Sequence, residues 1–429
     1  MSLHAFSLLN LNKKYFKIKN NTIMPNFYLF FYQIKGKSMQ KKKILFLGAG
    51  YATLSAIKAL SDEFFEKAQV SLINNNSYHY HTILLHKVAS NEDIYSSKYD
   101  LLPLLNPKIN FIQDEVLKIS KDKVFTKNNE FDFDILVCGL GFAKETFGIK
   151  GMQEYALSID NYENALKINE IIYEKIKNYK TTQNEDDLKI TVCGGGLSGV
   201  EFVASLAKEL KIFCQKEQIA YEKLELSIIE AMDQILPMFD KSLALKARQR
   251  LETLGVKVYE KSKITECEKN GIRLDGGEFV KANTIIWTAG VRGNSVIENS
   301  SDFPSARSRI EVDAFMHPLN VENASRYFFI GDNSLFKNPK TNTPYPPTAQ
   351  LALREGAYVA KALMAMIDEK DFKQEFSFVS GNTVCSIGKD YAVGTVLHKP
   401  ISGFLAIKLK IFIEKLWQYQ LEGFGGFLK

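Results

Sequence analysis

The chain has no run of about 20 apolar residues, the length that a membrane-spanning helix requires, although apolar residues make up 45% of its 429 residues. We therefore expect a globular protein without a transmembrane helix.

Cysteine is scarce too. The five cysteines form no CxxC pair, which argues against a disulfide framework and favours a reducing compartment. Cys138 and Cys193 lie in apolar runs and are interpreted as core residues.

Dense runs of Lys and Arg are also missing. The net charge of +6 is mild, so we predict no nucleic-acid partner, although a basic chain suits an anionic membrane surface. Three histidines, His79, His81 and His86, lie close together in the chain. No cysteine or carboxylate stands near them at ligand spacing, so we predict no metal site.

Residues 1–40 lack the features of a targeting segment. Their aromatic run is too short to span a bilayer, and a signal-peptide cleavage pattern is absent. Met39 stands directly before QKKKILFLGAG, where the first recognisable unit begins. We interpret residues 1–40 as a disordered extension or a mis-called start.

The first motif is KILFLGAGYATLSAIKAL, a strand-forming run, a glycine turn and a helix-forming run. This context is typical of dinucleotide binding. Gly48 permits the tight turn, and Gly50 lets backbone N–H groups approach a pyrophosphate. Thr53 replaces the third glycine, and we expect it to push the helix slightly outward.

The next strand of this unit ends at Asn74 rather than at the usual acidic residue. The amide oxygen of Asn74 can still accept a ribose hydrogen bond, without charge assistance. The cofactor-binding residues predicted here are Gly48, Gly50, Tyr51, Ala52 and Asn74.

A second and complete motif lies in DLKITVCGGGLSGVEFVASLAKEL, with Gly194, Gly196 and Gly199. Its next strand ends at Glu230, after a helix that we expect to run on through KELKIFCQKEQIAYEKLE. A carboxylate there favours a free ribose 2′-hydroxyl and therefore NADH over NADPH. Glu201 has two open interpretations: a first-turn acid that favours the helix dipole, or a group near the nicotinamide.

The order of the strands predicts an α/β fold of two Rossmann-like domains, one inserted in the other. FDFDILVCGLGF is interpreted as a strand that returns to the first domain, and ANTIIWTAGVRGN as one that closes the second. RYFFIGDNSLF is a further apolar strand, and PPTAQLALREGAYVAKALMAMI becomes helical after its prolines.

The C-terminal segment predicts an amphipathic helix that contacts a membrane surface. Trp417 and Tyr419 suit an interface. The alternative is a helix packed on its own core or in a dimer seam. The apolar stripe at helical spacing consists of Leu405, Leu409, Phe412 and Leu416.

The two motifs, followed in order by IWTAGV, FFIGD and PPTAQLA, resemble the type II NADH dehydrogenases. These are single-chain NADH:quinone oxidoreductases among the flavoproteins with two dinucleotide-binding domains. The likeness runs from about Lys42 to the C-terminus, and SYHYHTILLHKVAS is similar to a family loop that lines the flavin.

The resemblance implies FAD in the first motif and NADH in the second. It implies an FAD domain of residues 41–155 and 302–375, an NADH domain of 156–301, and a membrane-associating C-terminal region of 376–429. The site residues that it adds are Asp332 at the FAD ribityl chain, Ala349 and Gln350 beside the flavin and quinone, Glu201 at the nicotinamide–quinone junction, and Gly290 facing NADH.

The implied reaction passes a hydride from NADH to flavin and then two electrons to a membrane quinone, without proton pumping. Glu201 would position or relay protons, and Gln350 would bind a quinone carbonyl. Another possibility for Gln350 is a purely structural place at a helix start. The implied location is the cytoplasmic side of the plasma membrane, as a peripheral protein and possible homodimer.

Several alternatives stay open at this point. Arg354 and Glu355 stand where glutamines are common in the family, which puts the quinone preference in question. A soluble NADH oxidase, a reductase of a protein carrier, a sulfide:quinone oxidoreductase and a non-catalytic flavin-bearing scaffold or sensor are the other candidates.

Overall fold

The computed structural model describes residues 41–379 and 381–428. The interpretation of residues 1–40 lies outside the described part. The strands are β1 (Lys42–Leu47), β2 (Ala68–Asn74), β3 (Tyr78–Tyr80), β4 (Lys98–Asp100), β5 (Asn110–Gln113), β6 (Val116–Ile119), β7 (Lys123–Thr126), β8 (Glu130–Asp132), β9 (Ile135–Cys138), β10 (Phe142–Lys144), β11 (Leu157–Ser158), β12 (Lys189–Cys193), β13 (Glu225–Ile229), β14 (Val256–Tyr259), β15 (Ile264–Glu268), β16 (Gly271–Leu274), β17 (Phe279–Lys281), β18 (Thr284–Trp287), β19 (Val291–Gly293), β20 (Ser305–Ala306), β21 (Arg309–Glu311), β22 (Tyr327–Phe329), β23 (Ser334–Leu335), β24 (Asn382–Ser386), β25 (Ala392–Val396) and β26 (Lys399–Ser402).

The helices follow the sequence pattern closely. They are α1 (Tyr51–Ala59), α2 (Asp62–Lys67), α3 (Leu85–Ala89), α4 (Met152–Tyr155), α5 (Tyr162–Thr182), α6 (Leu197–Glu217), α7 (Lys241–Thr253), α8 (Ser295–Glu298), α9 (Ala349–Ile367), α10 (Phe404–Glu422) and α11 (Phe424–Leu428). One expectation is corrected: α6 ends at Glu217 with Gln218 in a left-handed conformation, so the helix does not run on toward β13.

The first sheet is parallel, with strand order β22-β9-β1-β2-β5. Its central strands are buried on both faces, which explains why β1 and β9 read as continuous apolar runs. The last strand, β22, comes from the chain after the second sheet. The predicted insertion of one domain into the other is therefore confirmed.

The second sheet repeats this arrangement, with strand order β11-β18-β12-β13-β14 and only parallel pairs. Each sheet is accompanied by a three-stranded antiparallel meander, β6-β7-β8 in one case and β15-β16-β17 in the other. The predicted α/β class with two Rossmann-like domains is confirmed, while the residue numbers of the domain boundaries stay a prediction.

A short antiparallel ribbon of β10 and β19 joins the two halves. β10 leads from the first sheet into the inserted part, and β19 leads out of it. The entering and leaving segments thus run side by side, which fixes the second sheet beside the first.

The C-terminal part forms an antiparallel sheet, β24-β25-β26, followed by α10. No helix within residues 41–379 or 381–428 has both the length and the apolar character needed to cross a membrane.

Candidate functional site

Two glycine-rich loops stand where parallel sheets of this kind bind dinucleotides. The first loop, residues 48–50, follows β1, which lies between β2 and β9; the second, residues 194–196, follows β12 between β13 and β18. At such points the strand order reverses, and a crevice opens at the carboxyl ends of the strands.

In the first loop, Gly48 has φ +82°, and a Cβ there would lie 2.4 Å from the carbonyl oxygen of Gly139. Only glycine fits this position. Gly50 is the N-cap of α1 and would carry a Cβ into nearly open space. The N–H groups in the first turn of α1, including those of Tyr51 and Ala52, have no intrahelical acceptor and suit an anion.

The second loop has the same construction. Gly194 has φ +119°, and a Cβ there would lie 2.7 Å from the amide nitrogen of Ala289. Gly196 caps α6, and a Cβ there would meet no atom within 4 Å. The space in front of both loops therefore fits a pyrophosphate.

The residues predicted to bind ribose hold these loops in shape. Asn74 Oδ1 accepts the N–H of Ala49 at 2.9 Å, and Glu230 Oε2 accepts the N–H of Gly195 at 2.8 Å. The two positions are structurally equivalent. A carboxylate has about four acceptor sites, so Glu230, which also accepts the N–H of Met232 at 2.8 Å, keeps acceptor capacity for a ribose.

Thr53 does not push α1 outward as expected, because the residue opposite it is a glycine. Thr53 is buried against Gly139, where a Cβ would lie 2.4 Å from Thr53 Oγ1. In the second loop the pair is reversed: a Cβ on Gly199 would lie 2.7 Å from Thr288 Oγ1. Each helix–strand contact thus holds one threonine and one glycine, and α1 needs no shift to accommodate Thr53.

Asp332 lies in a tight turn at the end of β22, on the same side as the first loop. Gly331 before it has φ +65°. Partial burial raises the pKa of the Asp332 carboxyl to about 6, against the effect of Arg309. A hydrogen-bond acceptor at this edge of the sheet can bind a hydroxyl of a nucleotide.

Glu355, one of the two residues that replace common glutamines of the family, supports this turn. Its carboxyl accepts the N–H of Gly331 and, at 3.0 Å, the hydroxyl of Ser334. Complete burial raises the pKa of Glu355 to about 8. Arg354 beside it is exposed. The sequence feature that could have indicated this role is the position of Glu355, an acidic residue on the buried apolar face of α9.

Ala349 and Gln350 are the first two residues of α9. Thr348 caps the helix and accepts the N–H of Leu351 at 3.2 Å. Both Ala349 and Gln350 are half-buried. They therefore lie at a helix N-terminus. This position fits both a quinone-binding role and a purely structural role for Gln350.

Glu201 is buried in the first turns of α6 and is bound from a distant part of the chain. Its Oε1 lies 2.8 Å from Lys410 Nζ and accepts the N–H of Ser386 at 2.9 Å. His86 Nδ1 lies 3.8 Å from the other oxygen. Burial alone would raise the pKa of Glu201, but Lys410 and the hydrogen bonds outweigh it and hold the pKa below its ordinary value.

The ion pair continues toward the surface through α10. Lys410 Nζ lies 3.6 Å from Glu414 Oε1, and Lys87 Nζ lies 2.8 Å from Glu414 Oε2. Lys87 is also 4.0 Å from Glu92. Burial opposes the charge of Lys410, but Glu201 and Glu414 raise its pKa. Lys410 was not predicted as a site residue, because Glu201, its nearest ionic partner, lies far away in the chain.

Gly290 follows β18 at the carboxyl edge of the second sheet and has φ +76°. The ring of Phe147 covers it, since a Cβ on Gly290 would lie 2.6 Å from Phe147 Cζ. Phe147 is 55% exposed and has φ +52°, which is rare for an aromatic residue. This contact was not predicted from the sequence.

The cysteines offer no redox pair. All five are buried and free. Cys385 Sγ lies 3.9 Å from the carbonyl oxygen of Leu197, and burial raises the thiol pKa of Cys385. Thiolate chemistry beside a flavin therefore has no support here. In the described part of the chain, no three His, Cys, Asp or Glu residues are arranged to hold a metal.

The helix α10 turns polar residues inward and apolar residues outward. Lys410 and Glu414 are buried, whereas Leu405 and Phe412 are 75% and 48% exposed. The exposed apolar side chains of α10 and the residue after its cap are Phe404, Leu405, Ile411, Phe412, Leu416, Tyr419 and Phe424.

Comparison with known proteins first defines the class. The family model for pyridine nucleotide-disulphide oxidoreductases matches residues 42–356. The NDH2 of Plasmodium falciparum in complex with NADH superposes with a TM-score of 0.82 at 18% identity, covering 91% of this chain and 98% of that one. The sulfide:quinone oxidoreductase of Aquifex aeolicus has a TM-score of 0.72 at 18% identity, covering 90% and 93%.

A curated relative then narrows the class. The type II NADH:quinone oxidoreductase of Staphylococcus aureus strain MSSA476 is 36% identical over 400 residues, which cover 90% of this chain and 98% of that protein. The chain belongs to the pyridine nucleotide-disulphide oxidoreductases and, within them, to the type II NADH:quinone oxidoreductase family. The resemblance drawn from the motifs is confirmed.

Proposed function

We propose that this protein oxidises NADH and reduces a membrane quinone, with FAD as its bound cofactor. The observation that carries the proposal is the pair of equivalent nucleotide loops, one closed by Asn74 and the other by Glu230, in a chain of this family. Bound flavin supplies hydride acceptance and electron transfer to the quinone. The balanced reaction converts NADH, a quinone and one proton to NAD⁺ and a quinol.

FAD is assigned to the first loop. Gly48, Gly50, Tyr51 and Ala52 would present backbone N–H groups to its pyrophosphate, while the carboxyl of Asp332 would accept a hydrogen bond from the ribityl chain. The open space at Gly50 supports this assignment. Ala349 at the start of α9 would lie beside the ring system.

NADH is assigned to the second loop, on Gly194, Gly196 and Gly199. The carboxylate of Glu230 would accept hydrogen bonds from the ribose and repel a 2′-phosphate, so NADH is preferred to NADPH. Gly290 lies at the end of β18, across the switch point from Glu230, which is where the nicotinamide half would extend.

Glu201 is proposed to relay the proton that quinol formation takes up. Because Lys410 holds the pKa of Glu201 low, its carboxylate passes a proton on rather than storing one. A general acid must be close to the reacting oxygen and must be resupplied. Its partner Lys410 and the neighbouring Glu414 and Lys87 connect this buried carboxylate to a partly exposed side chain. Gln350 would donate a hydrogen bond to a quinone carbonyl. Arg354 is exposed, and Glu355 is engaged with the Gly331 turn, so neither substitution argues against a quinone.

A membrane surface is the proposed partner of the outer face of α10. Lys408 is exposed beside this face, with its ammonium 5.2 Å from the centre of the Phe404 ring. Apolar side chains flanked by lysine suit the boundary between headgroups and acyl chains. A homodimer through the same face is the competing arrangement.

The NADH supply and the reduced cysteines favour the cytoplasmic side of the membrane.

The test follows NADH oxidation by the full-length protein with ubiquinone and menaquinone analogues, and with oxygen alone. We expect a quinone-dependent rate well above the oxygen rate and a preference for NADH over NADPH. A rate that quinone does not raise excludes the proposal. Equal use of NADPH contradicts only the role of Glu230.

A substitution sharpens this test. Glu201→Gln keeps the shape of the side chain but removes its proton-carrying group, so we expect kcat with quinone to fall by about 100-fold or more. Glu217→Gln, on the exposed end of the same helix, is the matched control and should leave kcat unchanged. Flavin content should be equal in both variants.

A further inference from the structure

The inner face of α10 reaches the first loop through a histidine. Trp417 Nε1 lies 2.9 Å from His79 Nε2, and His79 Nδ1 lies 2.8 Å from the carbonyl oxygen of Ala49. An indole N–H can only donate and a carbonyl can only accept. His79 Nε2 is therefore the acceptor, and Nδ1 carries the proton that is donated to Ala49.

A second histidine makes a parallel connection. His81 Nε2 lies 3.2 Å from the carbonyl oxygen of Glu414 and donates to it, while Tyr51 donates its hydroxyl proton to His81 Nδ1 at 2.6 Å. The Tyr51 oxygen also accepts the N–H of Ile83 at 3.2 Å. Every polar atom of both imidazoles thus has a partner, and the indole donor of Trp417 requires the neutral ring at His79.

These groups form one buried aromatic cluster. Tyr51 and Trp417 meet edge to face with ring centres 5.3 Å apart, and Tyr51 meets His79 and His81 in the same manner at 5.5 Å and 5.7 Å. All four side chains are buried. The cluster therefore joins α10 to the start of α1 without intervening solvent.

The two nucleotide loops differ in what supports them. The carbonyl oxygen of Gly195 in the second loop accepts the N–H of Leu236, which belongs to the same domain. The equivalent carbonyl of Ala49 is held by His79 and, through it, by α10. Of these two loop carbonyls, the one in the first loop is therefore connected to the C-terminal helix, and the one in the second loop is bonded within its own domain.

We propose that α10 is a clamp on the FAD loop: Trp417 and Glu414 act through His79 and His81 as positioning residues, so that docking of α10 and retention of FAD stabilise each other. The inference rests on the assignment of FAD to the first loop. By linkage, any stabilisation of the bound flavin by the docked helix must equal the stabilisation of the docked helix by flavin.

The first test compares the FAD dissociation constants of full-length variants. Trp417→Phe keeps an aromatic ring but removes the N–H donor, and we expect the dissociation constant to rise about fivefold, the effect of one hydrogen bond. Phe412→Leu on the outer face of the same helix is the matched control and should bind FAD like the wild type.

A double variant distinguishes the proposed connection through His79 from a general loss of packing around Trp417. His79→Gln should weaken FAD binding, and adding Trp417→Phe should weaken it no further, because both changes interrupt the same connection. Fully additive effects would overturn the proposed route through His79.

The second test needs no variant. Limited proteolysis within α10 should be slower in the FAD-loaded protein than in the FAD-free protein, as judged by mass spectrometry of the released fragments. Equal cleavage rates overturn the coupling even if Trp417→Phe fails to fold.

The outcomes separate this inference from the proposed function. If the wild type binds FAD and reduces quinone with NADH while Trp417→Phe retains FAD equally well, only the clamp is wrong. If the wild type takes up no FAD, both proposals fail.

Discussion

Thr53 and Gly139 face each other across the contact between α1 and β9. The same contact in the second half holds Gly199 and Thr288 in exchanged places. Between α1 and Gly139 the two residues share one space, because helix and strand approach too closely for two side chains. In the second half a Cβ on Gly199 would also lie 2.0 Å from the carbonyl oxygen of Gly194. The first motif keeps its geometry without its last glycine because the opposite residue is glycine.

This exchange predicts a coupling between the two positions. Gly139→Ala places a methyl group against Thr53 Oγ1, and overpacking of this kind should lower the free energy of unfolding by about 1–3 kcal/mol. In the Thr53→Gly/Gly139→Ala double variant, we expect the total loss to be smaller than the sum of the single losses, as measured by urea unfolding.

The control is Gly276→Ala, since a Cβ at Gly276 would meet no atom within 4 Å. It should change the free energy of unfolding by less than about 0.5 kcal/mol. Additive losses for Thr53 and Gly139 would mean that the two residues do not share one contact.

At the scale of elements, α10 is amphipathic in an unusual sense. Its inward face carries Lys410, Glu414 and Trp417, which bind partners in three other elements, and its outward face is apolar. Leu405, Phe412 and Leu416 of the predicted stripe are exposed, whereas Leu409 is half-buried and packs against a core cluster. One expectation is corrected: Trp417, expected at a membrane interface, is buried and bonded to His79 instead. Lys410 and Glu414 were not predicted, because a charged residue in a mixed helix indicates solvent unless its partner is known.

The outward face leads to a prediction on membrane binding. The Leu405→Ser/Phe412→Ser double variant removes two exposed apolar side chains, each worth about 1.5–3 kcal/mol when buried. We expect the partition coefficient onto anionic lipid vesicles to fall at least about tenfold in a sedimentation assay. FAD content should stay unchanged, because both side chains lie on the exposed face of α10 and take no part in the bonds to His79 and His81.

Ile212→Ser, which alters an exposed apolar residue on α6, serves as the control and should bind vesicles like the wild type. If the double variant binds as well as the wild type but changes from dimer to monomer in light scattering, the face is a dimer seam instead.

At the scale of the whole molecule, two neutral imidazoles lie buried where the first sheet, the histidine loop and α10 meet. Burial lowers the pKa of His79 to about 4 and that of His81 to about 3, below the ordinary value of 6.5. Lys410 and Lys87 lie nearby and lower the pKa of His81 further. Protonation of His79 would also place a second donor against the indole N–H of Trp417.

These shifts predict acid-sensitive folding. The folded state keeps His79 neutral, while the unfolded state takes up a proton below pH 6.5, so stability is present above that pH and is lost as the pH falls toward 4. The loss from His79 alone is about 3 kcal/mol. Urea unfolding at pH 7.5, 6 and 5 measures it.

His79→Gln removes the titrating group and should flatten the dependence of stability on pH, although its stability at pH 7.5 is lower. A slope equal to that of the wild type would mean that His79 is not the group responsible.

The sequence by itself determined the two glycine loops, the strand that each follows, the residue that ends the next strand, and the family. These features depend on neighbouring residues: glycine spacing sets a turn, apolar runs set buried strands, and an acid or amide follows at the strand end. The order of the returning strands was enough to predict the insertion.

Only the tertiary structure decided which residues support the loops. Gly139 opposite Thr53, Glu355 beneath the Gly331 turn, and Trp417 on His79 are contacts between distant segments. The last pair is separated by 338 positions in the chain. Such contacts have no local pattern, because they arise from the way the strand order and the C-terminal helix bring remote segments together.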